Sequence, residues 1–234
     1  MLDFNAYAIV IEDNPVSEHG YRVLCESSKN VGNGFAINRF DAITADQSIT
    51  FLAHHSIRWN WPWESSQVDI QTGLHKVPYQ TSNRAARIAC FASHYSLWIR
   101  CLADDKPILI LEHDAVFTRK FDLQLLNPMK AQIIGINDPR GATRKSALYH
   151  QMIQSDIREI QPVPRIDKPE IAQGLAGNSA YIITPKAAEK VIQDVDTYGA
   201  WPNDAIICYQ INPHLRVTRT YYTAVQGLRS TTTL

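Results

Sequence analysis

Residues 107–117 read PILILEHDAVF, and the two carboxylates Glu112 and Asp114 stand one residue apart directly behind a branched apolar run. Two readings fit. A charged loop after a strand is common. Alternatively, two hard oxygen ligands converge on Mg²⁺ or Mn²⁺, which keep open positions for phosphate oxygens. In the metal reading Asp114 is the direct ligand. His113 points to the opposite face of an extended segment.

The elements that must position this pair are legible as an alternation. AYAIVIE (6–12) reads as a buried first strand and 17–28 as a helix capped by Ser17, while AINRFDAIT (36–44) reads as a second strand running into a loop. Residues 84–103 carry Ile88, Phe91, Tyr95, Trp98 and Leu102 at three- and four-residue steps, the stripe of an amphipathic helix, with Ser82 or Asn83 as its cap. Ile108–Leu111, QIIGI (132–136) and AYIIT (180–184) are runs of the kind found in parallel strands covered on both faces. Pro185 then opens a helix with Thr184 as cap, and a short helix starts at Asn203–Asp204. This is an α/β pattern with a mostly parallel sheet flanked by helices, and such sheets bind ligands beyond the carboxyl ends of their strands. Residues 45–80 are aromatic, polar and Pro-broken without a sustained period. They read as a long surface loop or acceptor-side insertion within one domain spanning 1–234.

Composition narrows the class. Lys+Arg and Asp+Glu number 23 each, so no net charge draws the chain to nucleic acid or an anionic membrane. No apolar run approaches the roughly 18 residues of a membrane span, and the N-terminus lacks a signal-peptide pattern. Cys25, Cys90, Cys101 and Cys208 form no CxxC pair and read as free thiols of a cytoplasmic protein.

Five segments in register, ACFASHYSLW (89–98), ILILEHDAVF (108–117), GNSAYIITPKAAEKVI (177–192), PND (202–204) and VQGLRSTT (225–232), resemble glycosyltransferase family 25. The correspondence runs through Cys90, Ser93, His94 and Trp98, then Glu112 and Asp114, Gly177, Ala180 and Tyr181, Pro202 and Asp204, and Gln226 and Ser230. Three places depart from the family pattern. Arg87 stands where the family has an acid, His113 replaces the middle acid of the metal motif, and Glu12-Asp13-Asn14-Pro15 follows the first strand.

The resemblance implies a GT-A-like, Rossmann-type fold and transfer of a sugar, with inversion, from a nucleotide-sugar donor to an acceptor hydroxyl. A UDP-sugar is the first expectation for the donor. The acceptor would be a glycan or lipopolysaccharide, a protein, or a hydroxylated base in DNA, and the oligomeric state is left open. Mn²⁺ or Mg²⁺, held by Asp114 with Glu112 as a second ligand or a contact to the donor ribose or metal-bound water, would stabilise charge on the departing diphosphate. Asp204 becomes the candidate base, although Asp at a helix start is equally a cap. His94 would orient a loop or a donor phosphate, or be a hydrogen-bonded core histidine. Arg84 and Arg87 would reach diphosphate or lie on a solvated helix face. Gly177 and Asn178 would line the donor-sugar pocket or form a turn. Gln226, Ser230 and Thr231 would fold over the nucleotide or fray. Trp59, Trp61 and Trp63 would stack on acceptor rings or pack the long loop. A sugar- or nucleotide-binding module that has lost turnover, motivated by Arg87, is the competing function.

Overall fold

A computed structural model of the chain describes residues 3–79, 81–126, 132–140 and 145–227. In chain order the elements are β1 (Asn5–Val10), α1 (Pro15–Asn30), β2 (Asn38–Asp41), α2 (Ser48–His54), β3 (Gln67–Val68), β4 (His75–Lys76), α3 (Arg84–Asp104), β5 (Ile108–Glu112) and β6 (Ala115–Phe117). They continue with β7 (Ile133–Gly135), α4 (Ser146–Ser155), β8 (Ile160–Pro162), β9 (Ala180–Ile183), α5 (Pro185–Tyr198), α6 (Asn203–Ile206), β10 (Leu215–Thr218) and β11 (Thr223–Val225).

Seven strands form the main sheet in the order β2-β1-β5-β9-β7-β10-β8. The β2–β1, β1–β5 and β7–β10 pairs are parallel, whereas β9 runs antiparallel to both of its neighbours and β8 antiparallel to β10. Five strands therefore share one direction, which is the mostly parallel sheet expected. The exception is the run at 180–184. Burial on both faces explains its apolar composition whichever way it runs, so the composition carries no sign of direction.

Side-chain alternation divides the core into two layers. Tyr7, Ile9, Ile108, Ile110, Tyr181 and Ile183 face one cluster with Phe91, Trp98, Val191 and Trp201, on the side of α3 and α5. Ala8, Val10, Leu109, Leu111, Ala180 and Ile182 face the other, with Leu24 of α1. Each fully buried large side chain contributes about 1.5–3 kcal/mol, so the two layers hold the sheet rigidly. Along α3 the predicted stripe is buried at Ile88, Phe91, Tyr95 and Trp98, but Leu102 is exposed near the helix end.

Local chemistry moves several predicted boundaries. Asn14, not Ser17, caps α1 by accepting from the amides of Val16 and Ser17, and the Ser17 hydroxyl accepts from Ile11 N instead. Asn83 caps α3 through Ala86 N. Thr184 stands at the cap of α5, but its hydroxyl accepts from Gln132 N rather than from the helix. The stretch 45–80, aperiodic in sequence, contains α2 and the antiparallel β3–β4 ribbon. Trp61 there is buried against Trp201, and Trp59 stacks on Trp63 at 5.2 Å.

Candidate active site

The site lies at the carboxyl edge of β5, where three elements meet. Continuing the parity of Ile108 and Ile110, Glu112 points to the α3 side. Because β9 is antiparallel to β5, its beginning lies beside the end of β5. Glu112 N donates to Ser179 O at 2.8 Å, and residues 177–179 are held against the carboxylate pair. Gly177 has φ 89°, a conformation that glycine adopts without a Cβ penalty.

On α3, Arg87, Cys90, His94 and Trp98 recur at three- and four-residue spacing and form one row. A hydrogen-bond chain runs along it. Trp98 Nε1 donates to the Tyr181 hydroxyl at 2.8 Å, and that hydroxyl lies 2.9 Å from His94 Nδ1. His94 Nε2 lies 3.1 Å from Glu112 Oε1. The indole can only donate, and burial pushes the Tyr181 hydroxyl well above its ordinary pKa, so it keeps its proton. The tyrosine therefore donates to Nδ1, and the Nε2 proton goes to Glu112. Burial pushes Glu112 up. The hydrogen bond from His94, with His113 and Arg87 nearby, outweighs it and holds Glu112 below the usual carboxylate value.

Asp114 behaves in the opposite way. Burial and the neighbouring Glu112 charge push its carboxyl up to about 7, with the Ser179 hydroxyl acting against them. Its Oδ1 is buried without a partner among the described residues, and so are both polar atoms of the Asn178 amide. Orphaned buried polar atoms each cost about 1–3 kcal/mol, so a group held at that cost is a place where an ion, a water or a substrate can supply the missing bond. A hard divalent cation fits Asp114 on these grounds, because it relieves both the missing partner and the repulsion from Glu112. The Cys90 thiol, His94 and Glu112 also present ligand atoms within 4.8 Å of one another. There, however, the Nε2 position is committed to Glu112. The thiol is pushed far up by burial and by the charges of Glu112 and Asp204.

Asp204 comes from the far end of the chain. The cap position of α6 is Pro202, so Asp204 sits inside the first turn and does not cap it. Its Oδ2 accepts from the Tyr79 hydroxyl at 2.6 Å, while Oδ1 is buried with no partner among the described residues. Burial and the Asp204 charge push Tyr79 far above its ordinary value, so it remains a donor. The Arg87 guanidinium lies 4.3 Å over the Tyr79 ring. Cys90 feels Glu112, Asp204, Arg87 and Asp114 together, which gathers these four charges around one thiol.

Glu112, Asp114, His94, Asn178 and Asp204 thus converge. Arg84 does not. It is 53 % exposed, pairs with Glu64 and lies over the Trp63 ring at the entrance to α3. Gln226 is tied down, since its Nε2 donates to the carbonyls of Gly20, His113 and Ala115 and its backbone N to Asp114 O. It braces the 112–115 loop. Ser230 and Thr231, expected to fold over the nucleotide or fray, lie outside the described residues. Tyr79, Ser179 and the roles of Trp98 and Tyr181 were missed by sequence reasoning. The parity of β9 could have placed Tyr181 toward α3, but nothing local ties Tyr79 to a residue 125 positions away.

A row of polar side chains on α3, clustered carboxylates and an unpartnered amide meet at this sheet edge. Residues 22–207 match glycosyltransferase family 25 (LPS biosynthesis protein), and the chain belongs to that family. It is accordingly a nucleotide-sugar-dependent glycosyltransferase. Among solved structures it is similar to mouse xyloside xylosyltransferase 1 in its apo form, at 9 % identity over 92 % of this chain and 84 % of that one, with a TM-score of 0.45. It is also similar to galactosyltransferase LgtC in complex with donor and acceptor sugar analogs, at 12 % identity over 91 % and 72 %, with a TM-score of 0.41. No curated protein sequence matches it. No helix among the described residues is long and apolar enough to cross a membrane.

Proposed function

We propose that the chain transfers a sugar from a UDP-sugar to a hydroxyl of a lipopolysaccharide-type glycan, with inversion and with a divalent cation, in the cytoplasm. The observation that carries this reading is the gathering of buried, unpartnered polar atoms of Asp114, Asn178 and Asp204 at one sheet edge. Asp114 would hold Mn²⁺ or Mg²⁺ with Glu112 beside it, and the bound ion would supply Lewis-acid stabilisation of the diphosphate.

The chain's own residues supply the rest. Tyr79 fixes one oxygen of Asp204 and leaves the other free to take the proton of the acceptor hydroxyl. The hydroxyl oxygen bonds to the anomeric carbon as the bond to the diphosphate oxygen breaks, and the electron pair leaves with the diphosphate. His94 keeps Glu112 charged and oriented, and the Asn178 amide is free to bond the donor sugar. A neutral overall charge favours a glycan over DNA as acceptor.

The test incubates purified protein with Mn²⁺ and a panel of UDP-, GDP-, CMP- and dTDP-sugars and follows nucleotide release. Release from one donor, abolished by EDTA and by Asp114→Ala, is the expected result. Release that survives both treatments would remove the metal from the proposal, and no release with any donor and glycan acceptor would refute it.

A further inference from the structure

Arg87 has an unusual setting for a half-buried cation. It stands on the α3 row one turn before Cys90, facing the site. It lies 4.3 Å over the ring of Tyr79, whose hydroxyl is bonded to Asp204, so it borders the carboxylate cluster. A guanidinium there ordinarily closes a forked ion pair. Neither Glu112, bonded to His94, nor Asp204, bonded to Tyr79, forms an ion pair with it among the described residues. Its Nε is buried with no partner among the described residues. Stacking on Tyr79, itself anchored to Asp204, orients the guanidinium plane without using any N–H group. What is left is a planar, pre-oriented set of donors facing a site that handles phosphates and hydroxyls.

We propose that Arg87 binds an oxyanion of the substrate, either a phosphate of the donor diphosphate or an acidic group on the acceptor glycan. The identity of those substrates rests on the transferase reading above, whereas the anion-binding chemistry rests on the geometry of Arg87 alone.

The test is calorimetric titration of the full chain, in Mn²⁺, with inorganic pyrophosphate, UDP, uridine, a glucuronate-terminated disaccharide and its glucose-terminated counterpart. Wild type, Arg87→Met and Arg87→Lys are compared, with melting curves to establish that each is folded. At least one anion class should lose about tenfold or more in Arg87→Met, which is about 1.4 kcal/mol. Arg87→Lys should lose less, and uridine or the neutral disaccharide should be unchanged. Loss confined to pyrophosphate and UDP assigns the donor, and loss confined to the glucuronate assigns the acceptor. The proposal is overturned if wild type binds none of the anions, or if anion affinities are equal in all three proteins. Equal weakening of charged and neutral ligands also overturns it. Should Arg87→Met fail to fold, Arg87→Lys alone decides by the same comparison. An Asp114→Ala arm, read by loss of Mn²⁺ dependence, tests the metal reading separately.

Discussion

Lys76→Met removes the cation from a pair buried in the 45–80 segment. Lys76 Nζ donates to Asp69 Oδ2 and to Asn60 O, both at 2.9 Å, and lies 5.2 Å from the centre of the Trp201 ring. The two side chains are 4 % and 5 % exposed. Breaking such a pair from one side costs about 3–5 kcal/mol, because the remaining charge is stranded in low dielectric. Asp69 keeps two bonds from Thr72, so the lower end, about 3 kcal/mol, applies. For a chain of this size that corresponds to a fall in Tm of about 6–12 °C. Burial pushes Asp69 up, but Lys76 and Thr72 outweigh it and hold the carboxyl below its ordinary value. The pair's contribution is therefore complete above the unfolded carboxylate pKa and is lost as pH falls through the folded one. The deficit of the variant should be constant between about pH 5 and 8 and narrow as pH falls below about 4. Asp69→Asn/Lys76→Met, which removes both charges and leaves an oxygen for Thr72, should recover more than half of the loss. Thermal melts of the three proteins across this pH range are the assay. A fall of less than about 2 °C in the single variant, or a double variant no better than the single, would refute the argument. Because Lys76 packs on Trp201, three residues before Asp204, turnover should fall along with stability.

Other expectations follow from the same contacts. Asp114, raised to about 7, binds a proton in the folded state that the unfolded state has lost. Wild type without metal should lose stability as pH rises from about 4 to 7, by at most about 1.4 kcal/mol per pH unit. Asp114→Asn should lack that slope, and Mn²⁺ should raise the melting temperature only of wild type at pH 8. Tyr181→Phe strands Trp98 Nε1–H and His94 Nδ1 and should lower stability by about 2–4 kcal/mol in urea unfolding. Gly174→Ala would place a Cβ 2.3 Å from Ile207 O and 2.9 Å from Asp204 O. Backbone must then move, so a stability loss of about 1–3 kcal/mol should accompany a fall in kcat larger than any change in KM.

What could be read without coordinates was whatever local periodicity encodes. The stripe of α3, the runs of β5 and β9 and the carboxylates behind β5 follow from spacing alone, and the resemblance added Asp204 and Asn178. Strand direction was not legible, because β9 is as apolar as a parallel strand would be. The bracing role of Gln226 was not legible, since its reach to Gly20 and Ala115 joins parts of the chain far apart in sequence. Tyr79 and Lys76 were hidden in an aperiodic segment whose order comes from packing on Trp201 and α5, not from any repeat of its own.

The grip of Gln226 on the 113–115 carbonyls also sets a temporal order. The loop between β5 and β6 is translated more than a hundred residues before its brace, and domains fold as they are made, at roughly 5–20 residues per second. On the ribosome the sheet can assemble around β1 and β5 while the Asp114 loop still lacks its last hydrogen bonds. The brace thus arrives late, with the final strand, and a nascent chain stalled before β11 would carry the core of the fold with the Asp114 loop still unbraced.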